Sequence, residues 1–432
     1  GITMRENDRN IIRGLAEQYR EHCESERNYF DRASEQQIVR EYRTLVQDQI
    51  LKYWKQVAPD RQYGGFITDF DRRWNVRSTD KGAWGQGRLI YSFSETHEHF
   101  PEEGWLDLAR LGKDFALQHM YAGNGRFYYL VDRTGAKVLD GPTSVFSDGF
   151  IIAGLARFLS ASGGGTPEDA QLLQSLFDRY AENIMDVNFS DTAPFEASRE
   201  ICSHALPMIG LNVAYEVNRV LPSGNARQLI DHCLDAVLNG MYDPETGLIL
   251  EKKYRDGRRC QGPNALLVNT GHAFESMWFC LEAILTTYGP EDPRISRIRD
   301  IAETNYRASR GPDGESVFSY SAGEDAIKFK TWKYEIDFAG TDKVSWSYAE
   351  EMYLWALLAK LTGEETYFRR FLHLHQFTQT HFIDREYGDW FHALNQNNEV
   401  IYDFKGSTVK VAFHMLRAML RIMELFSTER EN

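Results

Sequence analysis

The sequence predicts an all-α protein, an (α/α)6 barrel or toroid that carries short β-hairpins and long loops at one end. Two observations predict it. Long segments place apolar residues at the spacing of an amphipathic helix, and turn-rich aromatic segments recur between pairs of these helices roughly every 60–70 residues. The alternation of single helices and strands that a parallel α/β sheet requires is not seen in the sequence. Six helix pairs in a closed ring account for this pattern.

The helical segments are recognised by their periodicity and by their end signals. The first begins with Ser34 and Gln37, which can form a capping box, and continues with Ile38, Tyr42 and Leu45 at helical spacing. The other segments with strong helical periodicity are 105–121, 147–163, 167–185, 206–221, 225–242, 292–309, 346–363 and 410–426.

The connecting segments combine Gly or Asp turn signals with alternating apolar residues, a pattern typical of β-hairpins and extended loops. They are 62–75, 123–139, 188–196, 242–257, 311–320 and 385–402. We expect residues 1–33 to form an additional N-terminal helix outside the repeat, and residues 34–432 to form a single barrel domain.

Composition excludes several classes of function. The net charge of −14 argues against a nucleic-acid partner, which would need a basic face. No stretch approaches 18 uncharged apolar residues, so we expect no membrane span. The five cysteines show no CxxC spacing, so neither a disulfide framework nor a zinc cluster is indicated. Together with the absence of a signal pattern at the N-terminus, this predicts a cytoplasmic protein.

One helix start carries titratable groups. His272 and Glu275 lie three positions apart, on one edge of a helix whose Phe274, Trp278 and Leu281 form the expected buried stripe. Taken alone, this pattern is typical of a core helix with a polar edge.

Six blocks together resemble the N-acylglucosamine 2-epimerase family. They are a Gly-Gly-Phe turn followed by Lys, Trp and Gln-Gly-Arg within 64–94, and the segments 125–158, 205–218, 268–279, 344–355 and 385–420, in the family's order. The resemblance spans about residues 36–425. It implies an (α/α)6 barrel and an enzyme that epimerises a reducing sugar at carbon 2 or isomerises it to a ketose.

The resemblance also implies the residues that carry the chemistry. Abstraction and return of the C2 proton need two groups on opposite faces of the sugar, and a donor near its oxygens. The catalytic histidines of the family fall on His272 and His414, with Glu275 placed to orient His272. Glu350 matches a buried glutamate, and Arg88 matches the arginine that binds the open-chain oxygens.

Trp84, Trp346 and Trp390 are the candidates for stacking on a sugar, by their motif positions. We expect a small-molecule sugar substrate, no cofactor and no metal ion, and no nucleic acid or membrane partner; a homodimer stays open. The sequence does not say which sugar is bound.

Two departures bear on the substrate. Cellobiose epimerases and mannose isomerases carry a third histidine on the helix that reads 206–221 here, where the aligned residue is Gly210; His204 lies six residues earlier. Val409 stands where a Trp commonly packs against the sugar. The pattern favours an acylglucosamine-type epimerase.

Three alternatives stay open. An aldose–ketose isomerase would use one effective base between carbons 1 and 2, and cellobiose or mannose epimerisation is a variant of the main hypothesis. A glycoside hydrolase would recruit Glu275 and Glu350 as its two carboxylates, leaving the histidines without a role. A non-catalytic sugar-binding protein would keep the aromatic residues.

Overall fold

The structure is a computed structural model that describes residues 4–22, 31–189, 200–262, 264–321, 329–330 and 336–427. The predicted turn-rich segment 188–196 therefore lies, beyond Phe189, outside the described residues, as do residues 1–3 and 23–30 of the predicted N-terminal extension. Among the described residues, no helix is both long enough and apolar enough to cross a membrane.

Helices form most of the described chain. Their bounds are Met4–His22 (α1), Arg32–Leu45 (α2), Lys52–Val57 (α3), Ala83–His99 (α4), Trp105–Phe115 (α5), Val145–Ala161 (α6), Pro167–Met185 (α7), Ala205–Val220 (α8), Gly224–Asp235 (α9), Thr270–Thr287 (α10), Arg294–Ala308 (α11), Ser345–Thr362 (α12), Glu365–His381 (α13) and His414–Phe426 (α14). Wider π-helical turns follow three outer helices, at Val46–Leu51, Ala116–Met120 and Ala236–Gly240.

The helices form two concentric rings. Helices α4, α6, α8, α10, α12 and α14 each contact the next, and α14 contacts α4, so the inner ring closes. Helices α5, α7, α9, α11 and α13 each pack outside the inner helix that precedes them, and α2 packs against α14. The predicted (α/α)6 toroid is confirmed.

Short strands occupy the connections that lead into the inner helices, as the turn-rich segments predicted. They are Asp69–Phe70 (β1), Val76–Ser78 (β2), Lys81–Gly82 (β3), Tyr121–Gly123 (β4), Arg126–Val131 (β5), Val138–Thr143 (β6), Ile201–Ser203 (β7), Tyr242–Asp243 (β8), Leu248–Ile249 (β9), Lys252–Tyr254 (β10), Leu267–Asn269 (β11), Ser319–Ser321 (β12), Phe329–Lys330 (β13), Asp337–Phe338 (β14), Lys343–Val344 (β15), Ala393–Leu394 (β16) and Val400–Tyr402 (β17). All pairings among them are antiparallel. Because every such connection enters an inner helix at its start, the N-termini of the inner helices all lie at the end that carries the strands.

Buried ion pairs fasten these connections to the barrel. Asp60, three residues after α3, accepts hydrogen bonds from Lys81 at 2.7 Å and from Arg133 at 3.0 Å. The carboxylate of Asp384, three residues after α13, accepts a hydrogen bond from the ammonium group of Lys405 at 2.7 Å in the same way. Burial alone would raise the pKa of Asp60, but the two cations lower it to about 2. The loops around the mouth are therefore held by charge as well as by turn geometry.

The opposite end of the barrel is filled by charged side chains that pair with one another, here called the lower ion cluster: Glu95, Arg157, Glu216, Glu282 and Arg421. Arg157 contacts Glu95 at 2.7 Å, and Arg421 contacts Glu282 at 2.8 Å and Glu216 at 3.2 Å. Burying these charges is tolerable because each has an opposite partner.

Helix α1 lies across this lower end. It packs against α10, α12 and α14, and Ile12 and Arg13 help to line a cavity of about 30 Å³ beside the lower ion cluster. Arg13 also donates a hydrogen bond to the carbonyl of Ser427, just after α14. Helix α1 thus lies outside the two rings and packs on the barrel.

The start of α2 differs from the predicted one. The helix begins at Arg32, and its capping side chain is Asp31, whose carboxylate accepts a hydrogen bond from the backbone of Ser34 at 3.0 Å. The predicted capping box of Ser34 and Gln37 is thus wrong, because an aspartate three residues earlier supplies the stronger, ionised acceptor.

Candidate active site

The candidate residues gather at the N-terminal ends of the inner helices. His272 lies in the first turn of α10, Glu350 in the second turn of α12, and His414 is the first residue of α14. Arg88 lies in the second turn of α4. Because helix N-termini carry partial positive charge, this end of the barrel favours a negatively charged ligand or intermediate.

His272 is held on both its backbone and its ring. Its backbone N–H donates to the side chain of Asn269, the N-cap of α10, at 3.0 Å. Its Nδ1 lies 3.3 Å from both carboxylate oxygens of Glu251. Burial alone would lower the pKa of His272, but the charge of Glu251 and its hydrogen bond raise it above the ordinary value, with help from Glu275 and Glu350.

Glu251 follows β9 and was not predicted from the sequence. Its carboxylate also lies 3.4 Å from Nδ1 of His204, the residue before α8, and Nε2 of His204 lies 2.6 Å from the hydroxyl of Ser276. Burial alone would raise the pKa of Glu251, but His272 and His204 hold it well below its usual range. Glu251 is therefore an ionised acceptor for both imidazoles.

His414 has two carboxylate neighbours. Its Nδ1 lies 2.6 Å from Glu350 and 3.3 Å from Glu275, and Arg417 donates to both carboxylates, at 2.8 Å and 3.0 Å. Burial alone would raise the pKa of Glu275, but His414 and Arg417 hold it well below its usual range. Trp278 donates its indole N–H to the other oxygen of Glu350 at 2.6 Å.

The predicted role of Glu275 is thus reassigned. Its closest ring contact is His414, whereas the Nδ1 of His272 hydrogen-bonds to Glu251. Residues three apart on a helix differ by about 60° in direction, so the two side chains of α10 diverge into different neighbours. The predicted buried stripe of Phe274, Trp278 and Leu281 is confirmed, each being at most 1% exposed.

Glu351, beside Glu350, is also buried, at 1% exposed. Its carboxylate accepts a hydrogen bond from Trp355 at 2.9 Å and pairs with Arg310 at 3.4 Å. Two successive glutamates on α12 are therefore both buried, one in the site and one between α12 and its outer neighbours.

Arg88 reaches the neighbourhood of His414. Its guanidinium donates to the carbonyl of Val409 at 3.3 Å and lies 5.2 Å from the ring of Phe413, the residue before His414. It also lies over the rings of Phe150 and Trp84. The residue that replaces the usual Trp, Val409, thus holds Arg88 through its backbone.

The three candidate tryptophans have different environments. Trp346 contacts both catalytic candidates, with ring centroids 5.3 Å from His272 and 5.1 Å from His414. Trp84 packs against the rings of Tyr129 and Phe150, and the guanidinium of Arg88 lies over its ring. Trp390 is 2% exposed and stacks on Phe382 in the core, so its ring has no face open to a sugar.

The aligned position of the third histidine is also settled by packing. The Cβ of a side chain at Gly210 would lie 2.9 Å from the sulfur of Cys233, on the outer helix α9. That position faces away from the lumen, whereas His204, six residues earlier, contacts Glu251.

Two groups of side chains offer donor atoms of the kind that divalent cations accept. They are His204, Glu251 and His272, and Glu275, Glu350 and His414, whose ligand atoms lie within 4.8 Å of one another in each group. Hydrogen bonds between imidazoles and carboxylates account for both arrangements without a metal ion.

Two residues of the site were missed by the sequence reasoning. Arg417 follows His414 by three positions on α14, so helical spacing could have identified it as a neighbour. Glu251 lies in a connection without periodicity, 21 residues before His272, and a backbone hydrogen bond from its N–H to the carbonyl of Leu267 holds it beside the start of α10.

The helical toroid and the two carboxylate-bound imidazoles at its mouth suit the class of enzymes that move protons on small molecules. The sequence profile of the N-acylglucosamine 2-epimerase family matches residues 65–418. The chain belongs to this family.

Similar proteins agree with that assignment. The chain is 24% identical over 387 residues to N-acylglucosamine 2-epimerase of Homo sapiens, covering 88% of each chain. It is 23% identical over 405 residues to the enzyme of Bos taurus, covering 91% of this chain and 93% of the other.

The fold has close counterparts among solved structures. Cellobiose 2-epimerase from Bacillus thermoamylovorans superposes with a TM-score of 0.78 at 17% identity, covering 90% of this chain and 99% of the other. A D-mannose isomerase superposes with a TM-score of 0.73 at 16% identity, covering 90% and 97%. At these identities the likeness establishes the fold alone.

Proposed function

We propose that this protein is a cofactor-independent sugar 2-epimerase that exchanges the C2 proton of a reducing sugar between His272 and His414. The observation that carries the proposal is that the two imidazoles have the same surroundings. Each ring has Nδ1 against a carboxylate, Glu251 or Glu350, and both rings contact Trp346.

The hydrogen bonds explain how each imidazole would work. An ionised carboxylate only accepts hydrogen bonds, so it keeps a proton on Nδ1 and leaves Nε2 as the nitrogen that exchanges a proton with the substrate. In one direction, His272 removes the C2 proton of the open-chain aldehyde, and His414 protonates the opposite face. The reverse reaction exchanges the two roles, so one histidine must begin neutral and the other protonated.

Removal of the C2 proton leaves an enediolate, whose negative charge must be stabilised. Arg88 offers a guanidinium beside His414, and the N-termini of α10, α12 and α14 direct partial positive charge at the same volume. Trp346 offers an aromatic face to the apolar side of the sugar. N-Acetylglucosamine and N-acetylmannosamine are the substrates we propose first, because the relatives from Homo sapiens and Bos taurus are named N-acylglucosamine 2-epimerase.

The runner-up is an aldose–ketose isomerase. The sequence argument against it was the missing third histidine, but His204 lies 3.4 Å from Glu251. That contact removes the argument without favouring a ketose product, because the ring of His204 is fully buried behind Glu251.

The test is exchange at carbon 2 in heavy water. The protein is incubated with N-acetylglucosamine, N-acetylmannosamine, glucose, mannose or cellobiose, and carbon 2 is followed by NMR. Formation of the 2-epimer with deuterium at C2 supports the proposal, and a ketose product supports isomerisation. No exchange with any of these sugars at high enzyme concentration would exclude both.

Single-base variants test the assignment of the two faces. His272→Asn and His414→Asn should both abolish epimerisation. Each should still exchange the C2 proton of one epimer, a different epimer for each variant, because one base remains on one face. If both variants exchanged the same epimer, the two-base scheme would be wrong.

A further inference from the structure

A third imidazole is bound to the same carboxylate as His272. His204 precedes the first residue of α8, and its backbone N–H donates to the carbonyl of Glu251 at 2.9 Å. Its Nδ1 lies 3.4 Å from Oε1 of Glu251, the oxygen that also lies 3.3 Å from Nδ1 of His272. Main chain and side chain therefore join the start of α8 to Glu251.

Both nitrogens of the His204 ring have partners. The ring is 0% exposed, and its Nε2 lies 2.6 Å from the hydroxyl of Ser276. Because ionised Glu251 can only accept, Nδ1–H of His204 donates to it, and Nε2 accepts from the Ser276 hydroxyl. A buried imidazole is tolerated only when its polar atoms are satisfied in this way.

The contacts form a chain of hydrogen bonds that begins and ends on α10. Ser276 lies four residues after His272 on α10, so hydrogen bonds run from His272 through Glu251 and His204 back to the same helix. Antiparallel pairing of β7 with β10, with Cys202 opposite Lys253, brings the two connections together. The carboxylate of Glu251 is thus held between His272 on one side and the fully buried His204 on the other.

We propose that His204 is a positioning residue that acts through Glu251 to set the orientation and basicity of the His272 ring. The catalytic meaning of this role rests on the proposed function, whereas the physical coupling between the two rings does not. The same carboxylate oxygen receives both Nδ1–H groups, so a change in one hydrogen bond changes the strength of the other.

The direction of the coupling can be worked out. The charges that face His272 are Glu251 from the β9–β10 connection, Glu275 from α10 and Glu350 from α12, with His414 beyond Trp346. Donation from His204 draws part of the Glu251 charge away from His272. Loss of that donation leaves the carboxylate a stronger acceptor for His272, so the pKa of His272 should rise.

Two amide substitutions separate the two sides of the ring. In His204→Asn, the amide nitrogen takes the place of Nδ1 and keeps a donor towards Glu251. In His204→Gln, the amide reaches the place of Nε2 and keeps the contact with Ser276 instead. Ser276→Ala is the matched control, because it removes the other partner of His204 and leaves Glu251 its donor.

The first readout is the pKa of His272, followed by ¹H–¹⁵N NMR without any sugar and assigned by the signal that His272→Gln lacks. His204→Gln should raise it by about 0.5–1 unit, the worth of one hydrogen bond. His204→Asn and Ser276→Ala should leave it near the wild-type value. With substrate, the acidic limb of kcat/KM should move by the same amount in His204→Gln, and kcat should fall more than KM changes.

A second measurement needs no variant of His204. In the wild-type protein, the ¹⁵N shifts of the His204 ring should show a proton on Nδ1. A ring whose only proton is on Nε2 would overturn the proposal, because it could not donate to Glu251.

The remaining outcomes also decide whether His204 acts on His272 through Glu251. The proposal is refuted by a folded His204→Gln variant with an unchanged His272 pKa, and equally by the same shift in His204→Asn. If His272 shifts as expected but the wild-type protein turns over no sugar, the proposed function fails and the coupling through Glu251 stands.

Discussion

Replacing Glu350 by glutamine tests the site most directly, because it removes one charge and changes almost no volume. Glu350 accepts from His414 and Arg417 on one oxygen, at 2.6 Å and 2.8 Å, and from Trp278 on the other, at 2.6 Å. A glutamine has one acceptor oxygen and one donor nitrogen. In either orientation its amide N–H meets a donor, Arg417 or Trp278, so one buried hydrogen bond must be lost.

The magnitude follows from the kind of bond that is lost. A hydrogen bond to a charged group contributes about 1.5–3 kcal/mol, and each 1.36 kcal/mol in the barrier changes a rate tenfold. If His414 depends on the charge of Glu350 to hold its proton during turnover, kcat of Glu350→Gln should fall about 10- to 100-fold. The residual rate is expected because Glu275 still lies 3.3 Å from His414.

Glu351→Gln is the matched control. Glu351 is buried to the same degree and also accepts from a tryptophan and an arginine, Trp355 and Arg310, but it lies away from His414. Both donors of Glu351 reach the same oxygen, which the amide oxygen of a glutamine can replace, so we expect a smaller loss of thermal stability in Glu351→Gln and a kcat within about threefold of wild type. The initial rate of 2-epimer formation gives kcat, and thermal unfolding gives the stability. The reasoning is refuted if a folded Glu350→Gln keeps its kcat, or if Glu351→Gln loses as much.

Three further predictions use other parts of the molecule. Glu251→Gln should lower the pKa of His272 by about 1–2 units, because the charge that raises it is gone, and the acidic limb of kcat/KM should move down equally. Trp346→Ala should raise KM about 3- to 10-fold, whereas Trp390→Phe should change only the melting temperature. Asp60→Asn should cost about 2.5 kcal/mol of unfolding free energy at pH 7; since the folded pKa of Asp60 is lowered to about 2, this difference should be complete above about pH 4 and vanish below pH 2.

Periodicity was sufficient to predict the toroid, because each inner helix buries residues on all sides and each outer helix buries one stripe. It was not sufficient for the helix start at Arg32, where a charged cap at Asp31 outcompetes the expected pair. Local signals identify that a helix begins, but the strongest acceptor within reach decides at which residue.

For the site, the sequence identified several residues on helices, but it missed Arg417 on α14 and Glu251 between helices. His272, Glu350 and Arg88 stand in recognisable blocks near helix starts, and the structure brings them to one end of the barrel. Glu251 becomes a neighbour of His272 because the connection before α10 folds back on itself, with the backbone N–H of Glu251 donating to the carbonyl of Leu267, a contact that no spacing along the chain encodes. Trp390 shows the opposite error, since a motif position does not tell whether a ring faces the lumen or the core.

The packing of α1 and the lower ion cluster has a kinetic consequence. Paired charged side chains occupy the lower lumen and α1 lies across it, so within the part of the chain that the structure describes the mouth is the route for a sugar. Substrate and product must therefore use the same opening and compete for the same set of contacts. Each epimer should inhibit the reaction of the other competitively, and net turnover should slow as the mixture approaches equilibrium even while exchange with solvent continues at full rate.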